Sequence, residues 1–225
     1  MYLYYYDNIN IALAEGDEGG SGIFIGFDTG YTISFSDTTT IDQGTTKVLA
    51  TTAPAFINVG LKLGYSHYFG SLFGVRGYVD YNYGFNIGNT KTTENNVTTN
   101  INNLSSLHNI TFNVDALINF YNSDSISFGA FAGIGVGYGL MNSNINEQNV
   151  QTTTKVADGF ILPVNLGLSL IAGGKHRIDL TMKIPCLGLK HVPEPGQGGG
   201  GGDPIPTETQ ITRMLIGTIG YSYTF

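Results

Sequence analysis

The chain has 225 residues, of which 41% are hydrophobic and only 12% are charged, and its formal net charge is −7 at pH 7. This acidic balance, without a basic patch interleaved with aromatic residues, argues against a nucleic-acid partner. The single cysteine, Cys186, excludes an internal disulfide bond. No apolar run reaches the length of about 18 residues that a transmembrane helix needs.

The N-terminal segment, residues 1–20, has some features of a secretion signal. Ala12-Leu13-Ala14 is similar to a small-residue cleavage site, and a polar, glycine-rich spacer follows it. Residues 1–10 carry no Lys or Arg, however, although a signal peptide begins with a basic region. We interpret residues 1–20 as the remnant of a signal peptide that starts further upstream, or as a flexible N-terminal segment.

From residue 23 onwards, apolar and polar residues alternate in separate segments. In the first segment Ile23, Ile25 and Phe27 alternate with Gly26 and Asp28. A period of two residues predicts a β-strand with one apolar and one polar face. The eight predicted strands are residues 23–35, 55–69, 73–87, 109–120, 126–140, 160–172, 178–186 and 211–225.

The connections between these strands alternate between long and short. The short connections are predicted at Gly70-Ser71, residues 122–125 and residues 173–175. The long connections, residues 36–52, 88–107, 141–157 and 187–210, are rich in polar residues or glycine and are predicted to be loops, the last of them flexible. An even number of strands with this asymmetry is typical of an antiparallel outer-membrane barrel, with short periplasmic turns, four long external loops and both termini periplasmic.

An eight-stranded up-and-down barrel could also be soluble, and the positions of the charged residues distinguish the two cases. The apolar faces carry no charged residue in any predicted strand. A Lys or Arg that faces the middle of a bilayer costs roughly 2–4 kcal/mol, so this absence favours a transmembrane barrel over residues 21–225. The opposite faces hold the charged residues, which we expect to pair as an interior charge network: Asp28, Lys62, Arg76, Asp80, Asp115, Asp179 and Lys183.

Residues that could support chemistry are sparse. The glycines between Gly133 and Gly139 recur at every second position, which indicates a strand rather than a nucleotide-binding turn. The four histidines share no metal-ligand spacing, so the sequence predicts neither a metal nor another cofactor. Ser106 and His108 are the only candidates for a lipid-modifying catalytic set near the outer rim. An eight-stranded barrel is filled by its own side chains, which argues against a wide pore.

The last fifty or so residues carry the most specific motifs. Residues 176–185, HRIDLTMKIP, are followed by a loop and by the ending Tyr221-Ser-Tyr-Thr-Phe225. This arrangement resembles the Helicobacter outer membrane protein family, whose barrels close in a similar way. The resemblance implies a surface-exposed barrel that the barrel-assembly machinery recognises through its C-terminal strand, with Tyr221, Tyr223 and Phe225 as the assembly signal. This chain lacks the long extracellular domain and cysteine-bridged loops of the large adhesins in that family.

The sequence therefore leads us to expect a non-enzymatic outer-membrane barrel that exposes loops at the cell surface. Its role would be envelope structure, adhesion or another surface interaction. A narrow, porin-like channel and a lipid-modifying enzyme are the alternatives. The expected partners are outer-membrane lipid and lipopolysaccharide, the assembly machinery, and host or cell-surface ligands that bind the loops.

Overall fold

The computed structural model describes residues 20–42, 45–52, 55–94, 97–123, 125–147, 150–191 and 207–225. The predicted signal segment and the glycine-rich centre of the last predicted loop lie outside these residues, apart from Gly20. No helix in the described ranges is long and apolar enough to cross a membrane. The strands are β1 (Gly22–Asp42), β2 (Thr45–Thr52), β3 (Phe56–Phe69), β4 (Phe73–Glu94), β5 (Val97–Asn122), β6 (Ile126–Glu147), β7 (Val150–Ile161), β8 (Pro163–Ala172), β9 (His176–Pro185), β10 (Leu189–His191) and β11 (Thr207–Thr224).

Eight of these strands form a closed ring. In order around it they are β1, β3, β4, β5, β6, β8, β9 and β11, and β11 pairs with β1 to close the sheet. Every pairing is antiparallel. The predicted eight-stranded antiparallel barrel is therefore confirmed. Closure leaves no free sheet edge in the ring, so its backbone groups can be satisfied without solvent.

The register keeps like faces together around the ring. Phe27 lies opposite Tyr221 on one side and Leu61 on the other, and the next residue, Asp28, lies opposite Gly220 and Gly60. Because side chains alternate with a period of two, each apolar row stays outside and each polar row stays inside. The alternation seen in the separate segments thus becomes two continuous surfaces.

Three of the four long connections contain paired strands, which the sequence analysis did not predict. The β1–β2, β4–β5 and β6–β7 pairs form β-hairpins over the described parts of residues 36–52, 88–107 and 141–157. Most residues of these segments are polar, so the segments lack the apolar alternation that identified the strands in the ring. Beyond the barrel both faces of a ribbon can meet water, and polar residues then remain compatible with pairing. Of the fourth predicted loop, β10 and the start of β11 are also strands.

Two smaller features differ from the prediction. The turn between β3 and β4 has three residues, Gly70-Ser71-Leu72, and Gly70 adopts a positive φ of 84°. The sixth predicted strand is divided at Leu162 into β7 and β8. We call the end of the barrel with the short turns the turn end and the opposite end the hairpin end.

The glycines of β6 make room for side chains of the neighbouring β5. A Cβ atom on Gly133 would stand 2.1 Å from Oδ1 of Asp115, and one on Gly135 would stand 2.3 Å from Oδ1 of Asn113. Neither distance is possible for a real Cβ atom. The glycine stripe therefore allows the polar residues of β5 to lie flat against the inner wall.

Candidate functional site

The interior of the barrel contains a network of buried ion pairs. Arg76 on β4 lies at its centre and is 3% exposed. Its Nε donates to Asp115 on β5 at 2.8 Å, and its Nη1 donates to Asp179 on β9 at 2.5 Å. The guanidinium carbon also lies 4.2 Å from the ring centroid of Phe131. One cation thus connects three strands across the lumen, and its planar group has both carboxylate and aromatic partners.

Two further ion pairs lie nearer the hairpin end. Nζ of Lys62 is 3.0 Å from Oδ2 of Asp28, and Nζ of Lys183 donates to Oδ2 of Asp80. All four side chains are buried. The structure therefore brings every residue of the expected interior network into an ion pair inside the barrel. A buried charge that loses its partner is strongly destabilising, so these contacts constrain which strands can be neighbours.

Arg177 also belongs to this interior, although the sequence analysis did not include it. It is 4% exposed, and its Nη2 donates to the hydroxyl of Tyr68. The predicted strand began at Ile178, one residue too late to include it. Counting back by two from Asp179 would have placed Arg177 on the same inner face.

Apolar clusters close the interior on both sides of the ion pairs. At the turn end, Tyr68, Leu117, Phe131 and Ile171 pack together. At the hairpin end the second cluster is larger and consists of Phe56, Leu107, Met141, Ala157, Ile161, Leu189 and Met214. Together with the charged layer, these clusters fill most of the lumen with side chains, as expected for a barrel of this size.

The outside of the ring is apolar. Leu61 and Ile134 are each 63% exposed, and Leu180 is 58% exposed. An exposed apolar band of this extent is far larger than a water-soluble monomer tolerates. Charged side chains on the outside of the described hairpin end include Asp37, Lys155, Asp158, Lys190 and Arg213, and two ion pairs among them, Lys155 to Asp158 and Arg213 to Asp37, measure 3.2 and 2.6 Å. This distribution of apolar and charged residues is that of a barrel embedded in lipid.

Two residues of the expected assembly signal, Tyr221 and Tyr223, lie on the outer face of β11 at the turn end, and Phe225 directly follows the strand. The rings of Tyr223 and Phe225 are 5.1 Å apart, and Tyr221 packs on Phe27 at 5.9 Å. The hydroxyl of Tyr221 is 2.8 Å from Nδ1 of His176. This aromatic group covers the seam at which the last strand joins the first.

The closed ring, its apolar outside and its buried charges define an outer-membrane β-barrel protein. The family model described as Helicobacter outer membrane protein matches residues 60–225, and the chain belongs to that family. Both the resemblance and the bacterial outer-membrane location expected from the sequence are thereby confirmed. No curated protein matches the sequence significantly.

Solved structures with the same architecture are distant in sequence. Outer membrane protein OprG from Pseudomonas aeruginosa is 14% identical, with 92% of this chain and 98% of that chain covered and a TM-score of 0.51. For Neisserial surface protein A the identity is 11%, the coverages are 91% and 98%, and the TM-score is 0.44. Ail, the attachment invasion locus protein of Yersinia pestis, is 13% identical, with 88% of this chain and 98% of that chain covered and a TM-score of 0.37. At these identities, the OprG likeness supports the barrel fold and nothing finer.

Among the described residues, no group of three or more His, Cys, Asp or Glu side chains is placed to hold a metal ion. Within the same ranges, His108 is hydrogen-bonded to the hydroxyl of Tyr81 at 2.9 Å. This contact engages Nδ1, where a catalytic histidine would instead contact an orienting acid.

Proposed function

We propose that the protein is a non-enzymatic surface barrel whose hairpins β1–β2, β4–β5 and β6–β7 bind ligands on host cells or on the surrounding bacterial surface. The observation that carries this proposal is the filled interior. Because ion pairs and two apolar clusters occupy the lumen, the surfaces available for interaction are on the outside. The lipid-facing wall is mostly apolar, which leaves the polar hairpins as the recognition surface.

The two alternatives have less support. A narrow channel would have to pass Arg76, which bridges Asp115 and Asp179 across the lumen. It would also have to pass the apolar cluster that contains Phe56 and Leu189, both 0% exposed. A lipid-modifying enzyme would need a nucleophile activated by a base that is itself oriented by an acid. The Tyr81 hydrogen bond to His108 does not supply that arrangement.

The proposal includes an orientation in the membrane. We place the hairpin end outside the cell and the turn end, with both termini of the barrel, in the periplasm. The charged residues of the hairpin end and the long polar hairpins support this assignment. Tyr221, Tyr223 and Phe225 would then lie where the assembly machinery can bind the C-terminal strand before the barrel closes.

An epitope tag inserted directly after Glu94, the last residue of β4, should be accessible to antibody on intact cells. The same tag inserted between Gly173 and Gly174, in the turn between β8 and β9, should bind antibody only after the outer membrane is permeabilised. Both sites lie outside the ring ladders, so both variants should assemble. Staining of intact cells by the second tag and not by the first would reverse the proposed orientation.

Shortening a hairpin should remove surface binding without unfolding the barrel. The register pairs Gly88 with Asn103, so residues 89–102 can be replaced by an Asn-Gly turn that closes the ladder at this pair. The matched variant replaces residues 145–152 in the β6–β7 hairpin, where Asn144 pairs with Thr153. We expect at least one of them to reduce attachment of protein-displaying bacteria to an epithelial cell layer to the level of cells without the protein.

Heat-modifiable migration in detergent gels provides the control for the shortened variants. Each variant should retain the faster migration of a folded barrel, because the ring ladders are intact. If the two variants and a similarly shortened β1–β2 hairpin all support attachment equal to that of the unaltered protein, the hairpins are not the recognition surface and the proposal fails.

A further inference from the structure

A small cavity lies inside the barrel, between the charged layer and the apolar cluster at the hairpin end. Its apolar wall consists of Ile161, Pro163, Pro185, Met214 and Ile216, from four different strands. The free space is small and holds roughly one or two water molecules. The cavity is therefore no channel, but neither the ion pairs nor the apolar cluster fills it.

The strands of the barrel wall beside this cavity are only weakly paired. The β8–β9 ladder ends at the pair Pro163–Pro185, and the next pair toward the hairpin end is Asp158 of β7 with Lys190 of β10. Between these two pairs, the amide of Cys186 donates a backbone hydrogen bond to the carbonyl of Leu162 at 2.8 Å. We call this stretch, residues 159–162 facing residues 186–189, the side gap.

The two prolines interrupt the ladders that flank the side gap. In an antiparallel pair, successive residues direct their N–H groups to alternate sides. Since Cys186 bonds to Leu162, the nitrogens of Pro163 and Pro185 point away from each other, toward β6 and β11. Proline has no N–H group to donate, so each residue ends one of those ladders. The β6–β8 ladder indeed ends at Ile134–Val164, and the β9–β11 ladder ends at Ile216–Lys183.

The opposite wall of the cavity is polar and incompletely paired. Asn109 is 3% exposed, and neither its amide nitrogen nor its amide oxygen has a hydrogen-bond partner among the described residues. Thr111 and Asn82 line the same wall, as does Lys183, whose charge is already neutralised by Asp80. A buried amide without partners is unfavourable, and a bound group that both donates and accepts would satisfy it.

The outer mouth of the side gap faces the lipid. Phe160 is 73% exposed, Leu187 50% and Leu162 39%. A molecule that reaches the cavity through the gap would therefore come from the hydrocarbon layer. Its apolar part would remain among these side chains and the two prolines, while its polar end would meet Asn109.

We propose that the cavity and the side gap form a binding site for one small amphipathic molecule with an uncharged head, such as a hydroxyl, and a short alkyl tail. The head occupies the cavity and hydrogen-bonds to Asn109. The tail extends through the side gap, which separates by releasing the bond between Cys186 and Leu162. This function is additional to ligand binding by the hairpins, and either one can exist without the other.

Methyl-¹³C-methionine NMR of the protein in lipid nanodiscs, titrated with 1-octanol, tests the site directly. Met214 lines the cavity, whereas Met182, 42% exposed, faces the lipid outside the ring. The Met214 methyl signal should shift and saturate, while the Met182 signal should change only in proportion to octanol dissolved in the bilayer. Decane should need about a tenfold higher concentration for the same effect, as expected for the loss of one or two hydrogen bonds.

A reversible lock on the side gap tests the route. Leu162→Cys places a second thiol opposite Cys186, and the oxidised variant should hold the gap closed. Octanol should then leave Met214 unshifted until a reductant is added. The control carries Cys186→Ala with Leu168→Cys and Leu180→Cys, a facing pair in the regular β8–β9 ladder, and its disulfide should leave the Met214 response unchanged. A Met214 signal that never saturates in the unaltered protein, or one that saturates equally in the locked variant, would overturn the proposal.

Discussion

Replacing Arg76 by methionine should lower the free energy of unfolding by about 3–5 kcal/mol, the largest stability effect that we expect from one interior substitution. The change removes the cation that pairs with Asp115 and Asp179 and leaves both carboxylates buried beside an apolar side chain. Methionine retains much of the volume of arginine, so the effect reports the lost charge rather than a cavity. Urea unfolding in lipid vesicles, followed by heat-modifiable migration, measures it.

The matched control for this prediction is Arg213→Met at the hairpin end. Arg213 also pairs with a carboxylate, that of Asp37 at 2.6 Å, but its side chain is 46% exposed. Water compensates for a lost partner at such a position, so we expect a loss of about 0–1 kcal/mol. Adding Asp115→Asn and Asp179→Asn to Arg76→Met should recover part of the stability, because the unpaired charges are then removed. Equal losses for Arg76→Met and Arg213→Met would show that burial of the network is unimportant.

Arginine in place of Leu63 should destabilise the barrel by about 2–4 kcal/mol. Leu63 is 59% exposed on the outside of β3, close to the middle of the strand. If the exposed side is lipid, the new charge is forced into hydrocarbon. If the exposed side were water, the same substitution would replace an exposed apolar residue by a soluble one at little cost. The size of the effect therefore tests which side of the barrel meets the membrane.

The control for Leu63→Arg is Leu104→Arg, which lies on β5 near the hairpin end. Leu104 is 38% exposed, and substitutions near or beyond the bilayer interface cost about 0–1 kcal/mol. Folding efficiency into vesicles and the urea midpoint should therefore be close to those of the unaltered protein. Similar losses at Leu63 and Leu104 would indicate a general intolerance of arginine and would remove the support for a lipid-facing band.

Much of the fold follows from the sequence because the inside and outside of a barrel strand are local properties. Ile23 and Asp28 are an odd number of positions apart on the same strand, and this spacing is enough to place them on opposite faces. The three short turns then show which consecutive strands are neighbours in the barrel. The hairpin segments, residues 36–52, 88–107 and 141–157, were predicted as loops because most of their residues are polar. A polar segment without alternation can be either a paired strand in water or an irregular loop.

The C-terminal strand shows the same division between local and distant information. Its aromatic residues, Tyr221, Tyr223 and Phe225, could be placed on one face from their spacing alone. The partners of that face could not, because Phe27 and His176 are distant in sequence and meet β11 only when the ring closes.

The sequence by itself determined an eight-stranded barrel, the side of each strand that meets lipid, and seven of the charged residues inside, although not Arg177. Only the tertiary structure decided that Arg76 pairs with Asp179, 103 residues away, and that Pro163 meets Pro185 beside a cavity. The physical reason is that the alternation of apolar and polar residues in a strand depends only on consecutive residues. Pairing across the lumen depends instead on the register and on closure of the whole ring, which no single segment contains.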